Sequence, residues 1–197
     1  SALLTFQEPN ASSSPGLTQL YVRSGPKRRN FRKFCLWEWD MAGYDDRDGF
    51  IWMDGKLVEW RSANVHILTH ALHYASSVFE GERMYNGEIF ELTAHTERLF
   101  KSAEILDFKI PYTVSEIDEA CKATCAKNGL TDCYVRPIAW RGSEMIGVSA
   151  QHSKIHVAIA VWEWPSYFSP EAKMKGLRLQ ISDWRRPAPN MAPTKAK

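Results

Sequence analysis

The stretch from His70 to Tyr85, HALHYASSVFEGERMY, constrains the fold most, because Asn86-Gly87 follows it at once. Asn-Gly between two runs of strand-type residues favours a tight turn with positive φ at both central positions, and such a turn fixes the register of a hairpin. Arg83-Met84-Tyr85 is therefore expected as a strand, with Ile89-Phe90 returning beside it. Upstream, Leu72, Ala75, Ser76 and Phe79 fall at i, i+3, i+4 and i+7. That spacing predicts a helix of about two to three turns, stopped at Glu80-Gly81. Imidazole, acidic, basic and phenolic groups then crowd a helix end and the first strand after it, a rigid place from which to line a pocket.

The rest of the chain supplies a frame. Apolar residues 50–53 and 57–60 flank Asp54-Gly55, a second hairpin. Val65, Ile67 and Leu68 suggest a short strand. A helix is predicted over 93–107, with Leu99, Ser102, Ala103 and Leu106 inward and Arg98 and Lys101 beside that stripe. Thr113 and Glu116 form a capping box that opens a second helix, and Asn128-Gly129 closes it. Residues 133–141 read as a strand; if Val135 and Ile138 are buried, Tyr134 and Arg136 share the opposite face. Residues 155–162 are nearly continuously apolar, as in a strand covered on both sides. Trp164 to Pro170 breaks the pattern, 177–181 reads as one more strand, and the prolines from 187 onward keep the end extended. Strands, then two helices, then strands argue for an α+β domain.

Charge and cysteine usage narrow the class. Residues 1–40 hold six basic and three acidic groups, whereas 41–197 hold 19 basic and 20 acidic ones. The leader is low in order and basic. Its simplest reading is a non-native or read-through segment before Met41; a targeting segment and a nucleic-acid arm rank below that. No apolar run approaches the roughly 20 residues of a membrane span. Four cysteines without paired spacing read as small core residues in a reducing compartment, so a cytoplasmic protein is expected. His66, His70 and His73 lack an evident fourth ligand, so no metal site is assigned.

The central stretch, Tyr134-Val135-Arg136-Pro137 and the terminal Pro193-Thr194-Lys195-Ala196-Lys197 together resemble the branched-chain amino acid aminotransferases, pyridoxal-phosphate enzymes of fold type IV. The resemblance runs from about residue 50 to 197 with consistent spacing. It implies the small N-terminal α+β domain of that fold (41–163), an inter-domain linker (164–175) and the first strands of the larger cofactor-binding domain (176–197).

The resemblance also implies roles. Lys197 stands where the family has its Schiff-base lysine, a group that is nucleophile and base once deprotonated. Arg98 matches the arginine that holds the cofactor phosphate, and Arg136 the one that recognises substrate carboxylates. Tyr74, Phe79, Tyr134 and Tyr167 match aromatic pocket residues, and Val148 lies on a loop that enters the neighbouring subunit's pocket. Pyridoxal 5'-phosphate, amino acid and 2-oxo acid substrates, and a homodimer are the implied partners. The implied reaction transfers the amino group of L-leucine, L-isoleucine or L-valine to 2-oxoglutarate. The family continues well past its lysine, where this sequence ends, so a fragment that only dimerises or binds a partner is the competing expectation. D-amino acid aminotransferase and aminodeoxychorismate lyase share the architecture and are further alternatives.

Overall fold

The computed structural model describes residues 43–166, 168–176, 178–188 and 190–197. Strand β1 (Phe50–Met53) turns at Asp54-Gly55 into β2 (Lys56–Glu59), as the sequence predicts. Residues 63–69 form no strand; unpaired, Val65, Ile67 and Leu68 are exposed. Helix α1 (His70–Tyr74) is a single short segment that ends where Ala75 adopts a left-handed φ of 53°. The predicted longer helix is thus overturned: Ser77–Phe79 is strand β3. Leu72, expected on its buried face, is exposed. Val78 instead gains burial through pairing with the distant strand β6, Cys133–Arg141.

The Asn-Gly hairpin forms between β4 (Glu82–Tyr85) and β5 (Glu88–Ile89), with φ of 49° at Asn86 and 86° at Gly87. Helix α2 (Leu92–Ile105) buries Leu92, Thr96, Leu99, Ser102 and Ala103. Helix α3 (Val114–Lys127) opens with the Thr113/Glu116 capping box and is followed by Gly129 at φ 66°. The Asn128 side chain accepts from the Phe50 N–H and donates to the Phe50 carbonyl, both at 2.9 Å, tying the end of α3 to β1.

With β7 (Ile155–Trp162), the described strands form one seven-stranded antiparallel sheet, β2-β1-β7-β6-β4-β5, with β3 also on β6. Ser77 lies opposite Trp140, Phe79 opposite Ile138, Glu82 opposite Val135 and Met84 opposite Cys133. The register is therefore continuous through β3 and β4. The ladder is interrupted where Glu80 and Gly81 face Pro137 and Arg136, because proline has no N–H to give.

Helices α2 and α3 cover one face of the sheet. Their core includes Val78, Met84, Leu99, Ile117, Cys121, Cys125, Cys133, Val135, Ala139, Val157, Ile159 and Val161. Cys125 and Cys133 lie 3.8 Å apart as free thiols. Strand β7 alternates between buried and partly exposed positions, so only one of its faces is fully covered, not two as its composition suggests. Ile138 likewise sits on the partly exposed side with Tyr134 and Arg136; Pro137 and Ala139 accompany Val135 inward.

Helix α4 (Pro170–Lys175) falls inside the segment expected as a linker. Among the described residues, 178–181 form no strand; a strand needs a partner to bond to, and Ile181 is 95% exposed. The leader, residues 1–40, and Leu177 lie outside the described residues. Among the described residues, no helix is long and apolar enough to cross a membrane.

Candidate active site

The site grows from three consecutive residues at the gap in the ladder. In extended chain alternate side chains take opposite faces. Glu80 turns toward the helices and is fully buried, while Phe79 and Gly81 face the partly open side.

Buried carboxylates must be paired. Nε and Nη2 of Arg98 donate to the two oxygens of Glu80 at 2.7 and 2.6 Å, His95 Nδ1 donates at 2.9 Å, and Lys197 Nζ at 3.3 Å. His95 and Arg98 lie one turn apart on α2, so both reach the same carboxylate. Burial alone would raise the Glu80 pKa. The donors from Arg98 and His95, with the charge and hydrogen bond of Lys197, outweigh it and hold the carboxyl at about 2. Lys197 is brought in by its backbone: the Phe79 N–H donates to the Lys197 carbonyl at 2.9 Å, and the Lys197 N–H donates to Ser102 Oγ at 3.2 Å. The last residues thus run beside β3, with Ala196 against the core.

On the open face, Tyr134 and Arg136 share one side of β6, as the alternation predicts. Arg136 donates to the Tyr134 hydroxyl at 2.8 and 3.2 Å and lies 4.4 Å over the Phe79 ring. Tyr134 packs against Trp162 and Trp164, ring centroids 4.9 and 4.5 Å away. Gly81 is required there: a Cβ at that position would strike the Tyr134 hydroxyl. Lys197 Nζ lies 5.8 Å from the Phe79 ring centroid, so the ionic centre and the aromatic face meet at Phe79.

The structure therefore brings together Arg98, Lys197, Phe79, Tyr134 and Arg136. Tyr74 and Val148 belong to a different group. Tyr74 stacks on His70 at 4.5 Å, and His70 Nε2 donates to the Gly147 carbonyl at 2.9 Å, next to Val148. Val148 is 91% exposed. Tyr167 lies outside the described residues.

Sequence reading missed Glu80 and His95 as members of the site. The available signal was a His and an Arg at i, i+3 on a helix, facing a carboxylate on an adjacent element. Glu82, two residues on, was also missed. It is buried, neither of its oxygens has a hydrogen-bond partner among the described residues, and its pKa is pushed up to about 8 by burial, reinforced by the charges of Glu80 and Asp118. Among the described residues no cluster of three or more His, Cys, Asp or Glu is placed to hold a metal.

The family model described as amino-transferase class IV matches residues 77–197, and the chain belongs to that family. Within it, the branched-chain-amino-acid aminotransferase of Pseudomonas aeruginosa is 47% identical over 156 residues, covering 77% of this chain and 51% of that one. The enzyme of the same name from Escherichia coli K12 is 39% identical over 153 residues, covering 75% and 50%. Among solved structures, a T.th. branched-chain amino acid aminotransferase with pyridoxamine 5'-phosphate superposes with a TM-score of 0.72 at 42% identity, covering 77% of this chain and 51% of that one. The chain spans about half the length of the relatives it matches.

Proposed function

We propose that the protein is a branched-chain amino acid aminotransferase that uses pyridoxal 5'-phosphate, carrying the amino group of leucine, isoleucine or valine to 2-oxoglutarate. The observation that carries this reading is the convergence of Lys197 and Arg98 on the buried Glu80 carboxylate, beside an aromatic face that holds a second arginine.

The residues present fit the cofactor. Arg98 spends Nε and Nη2 on Glu80, and its Nη1 has no hydrogen-bond partner among the described residues. The Arg98 and Lys197 side chains are 54% and 41% exposed. A guanidinium edge for a phosphate and an amine for an aldehyde are thus offered from one side. When bound, the cofactor supplies an electron sink that makes the substrate Cα–H acidic.

Glu80 orients rather than catalyses, because a carboxyl held at about 2 does not accept a proton near neutral pH. It fixes the plane of Arg98 and draws Lys197 Nζ to one edge. Once it has given up its proton, Lys197 Nζ takes the proton from substrate Cα. Arg136, half-buried over Phe79 and steadied by Tyr134, binds a substrate carboxylate. Phe79 supplies apolar wall for a branched side chain. The same pocket then accepts glutamate through Arg136 and leucine through Phe79.

Tyr74 stacks on His70, His70 holds the Gly147 carbonyl next to Val148, and Ile67, Leu68, Leu72 and Ile146, in the same stretches of chain, are exposed apolar residues. In the proposed homodimer this group meets the second subunit, with Val148 entering its pocket. Three buried free thiols suit a reducing compartment, which favours the cytoplasm.

The test is chemical. The purified protein is loaded with pyridoxal phosphate, reduced with borohydride and mapped by peptide mass. Label on Lys197, with leucine-dependent glutamate formation that disappears in Lys197→Ala, is expected. Label on another lysine, or turnover surviving in Lys197→Ala, overturns the assignment.

A further inference from the structure

The segment joining β6 to β7, residues 142–154, carries Val148; besides the His70 N–H on the Gly142 carbonyl, it is fastened at three places. His70 Nε2 holds the Gly147 carbonyl at 2.9 Å, and Arg141 Nη1 donates to the Ala150 carbonyl at 2.8 Å. The third fastening is at its root. His156, on the partly open face of β7, stacks on Trp140 with centroids 5.4 Å apart. Its Nδ1 lies 2.6 Å from Asp54 in the β1–β2 turn, and its Nε2 lies 3.1 Å from Glu144 in the segment itself. A carboxylate oxygen only accepts, so both contacts are hydrogen bonds at once only when the ring carries a hydrogen on each nitrogen, as an imidazolium.

The remaining carboxylate oxygens are also engaged. Asp54 Oδ1 accepts from the Val157 N–H at 2.9 Å, and Glu144 Oε2 from the Lys154 N–H at 3.0 Å. Gly142 lies under the cluster, where a Cβ would strike the His156 ring and Glu144. The described titratable groups facing the ring are therefore Asp54 from the turn and Glu144 from the loop, with Trp140 stacked from β6.

We propose that His156 is a positioning residue, a proton-dependent latch that holds the Val148 loop to the β1–β2 turn and so sets how firmly that loop completes a substrate pocket. The pocket half of this inference rests on the transaminase reading; the latch itself does not.

The direction of the pH response follows. Burial pulls the His156 pKa down, but its ion pairs with Asp54 and Glu144 outweigh burial and hold it above 6.5. Burial pushes the Glu144 carboxyl up, but backbone N–H donors and His156 outweigh that and hold it below its ordinary value. A histidine with a raised folded pKa gives its full stabilisation below the unfolded value and loses it as pH rises through the folded one. Above that point the ring keeps one hydrogen and cannot donate to both carboxylates, so the bridge from the turn to the loop opens.

The experiment uses the purified protein, His156→Gln and Glu144→Gln. Imidazole titrations are followed by NMR, and amide exchange of residues 143–152 is expressed as protection over the unfolded rate. His156 is expected to titrate above 6.5, and lower in Glu144→Gln. Loop protection in the unsubstituted protein should fall about tenfold across that titration, and both variants should stay low throughout. In steady-state assays, KM for the amino acid should rise with pH over the same range while kcat holds, and the variants should show a flat, high KM. Titration at or below 6.5, protection indifferent to pH and to both substitutions, or a flat KM while the loop loosens would each overturn the proposal. A protein without transaminase turnover would refute the functional reading, and loop protection alone would then decide the latch.

Discussion

Replacing Glu80 by Gln keeps the shape of the side chain and removes its charge. In the native protein this carboxyl is fully buried and held at about 2, against an ordinary 4.5. At about 1.4 kcal/mol per unit, the full difference is about 3 kcal/mol. Arg98 and Lys197 are each about half exposed, so water screens part of their contribution. A loss of about 2 kcal/mol at neutral pH is expected, since the Arg98 guanidinium is also left facing an amide. The folded pKa lies below the unfolded one, so this stabilisation is complete above about 4.5 and disappears as pH falls through about 2. Urea denaturation of the two proteins should differ by about 2 kcal/mol at pH 7 and converge only as pH is lowered to about 2. A gap of the same size at both ends would assign the loss to packing, and a Gln variant as stable as its parent at pH 7 would remove the charge argument altogether.

Three further outcomes are expected. Gly81→Ala should push Tyr134 off its place, costing about 1–3 kcal/mol and raising KM, with partial recovery when Tyr134→Phe removes the hydroxyl it strikes; thermal unfolding and kinetics of the single and double variants check this. Glu82→Gln should abolish a decline in stability that the parent shows as pH rises from about 4.5 to about 8, on the order of 5 kcal/mol, because the folded state holds that proton and the unfolded chain releases it; parallel slopes in the two proteins would contradict this. Thr113→Ala should cost about 1 kcal/mol by opening the capping box, read as a lowered Tm with activity unchanged.

What the sequence made legible was local. The Asn86-Gly87 turn, the Thr113 cap and the stripe on α2 are each set by neighbours within a few residues, and each is where pattern placed it. The Tyr134/Arg136 pair followed from alternation along one strand. The failures share a cause of the opposite kind. Leu72, Ala75, Ser76 and Phe79 met a helical period by coincidence, and pairing of residues 77–79 with 138–140 overrode it. Strand pairing at that sequence distance leaves no local trace. Glu80 read as a helix stop because its partners lie 15, 18 and 117 residues away. Arg98 has acidic helix neighbours in Glu97 and Glu104, yet it reaches across to the sheet instead.

Because Phe79, Glu80 and Gly81 face opposite sides of the sheet in turn, this segment is sensitive to length as well as to identity. A single-residue insertion between Val78 and Phe79 would move every later side chain of the strand to the other face. The anion would leave its guanidinium and amine, an aromatic ring would enter the ionic centre, and a Cβ-bearing residue would meet the Tyr134 hydroxyl. Conservative replacements at these positions alter one contact at a time, whereas one added or deleted residue exchanges the two halves of the site. The segment is therefore a poor place for grafting or loop engineering.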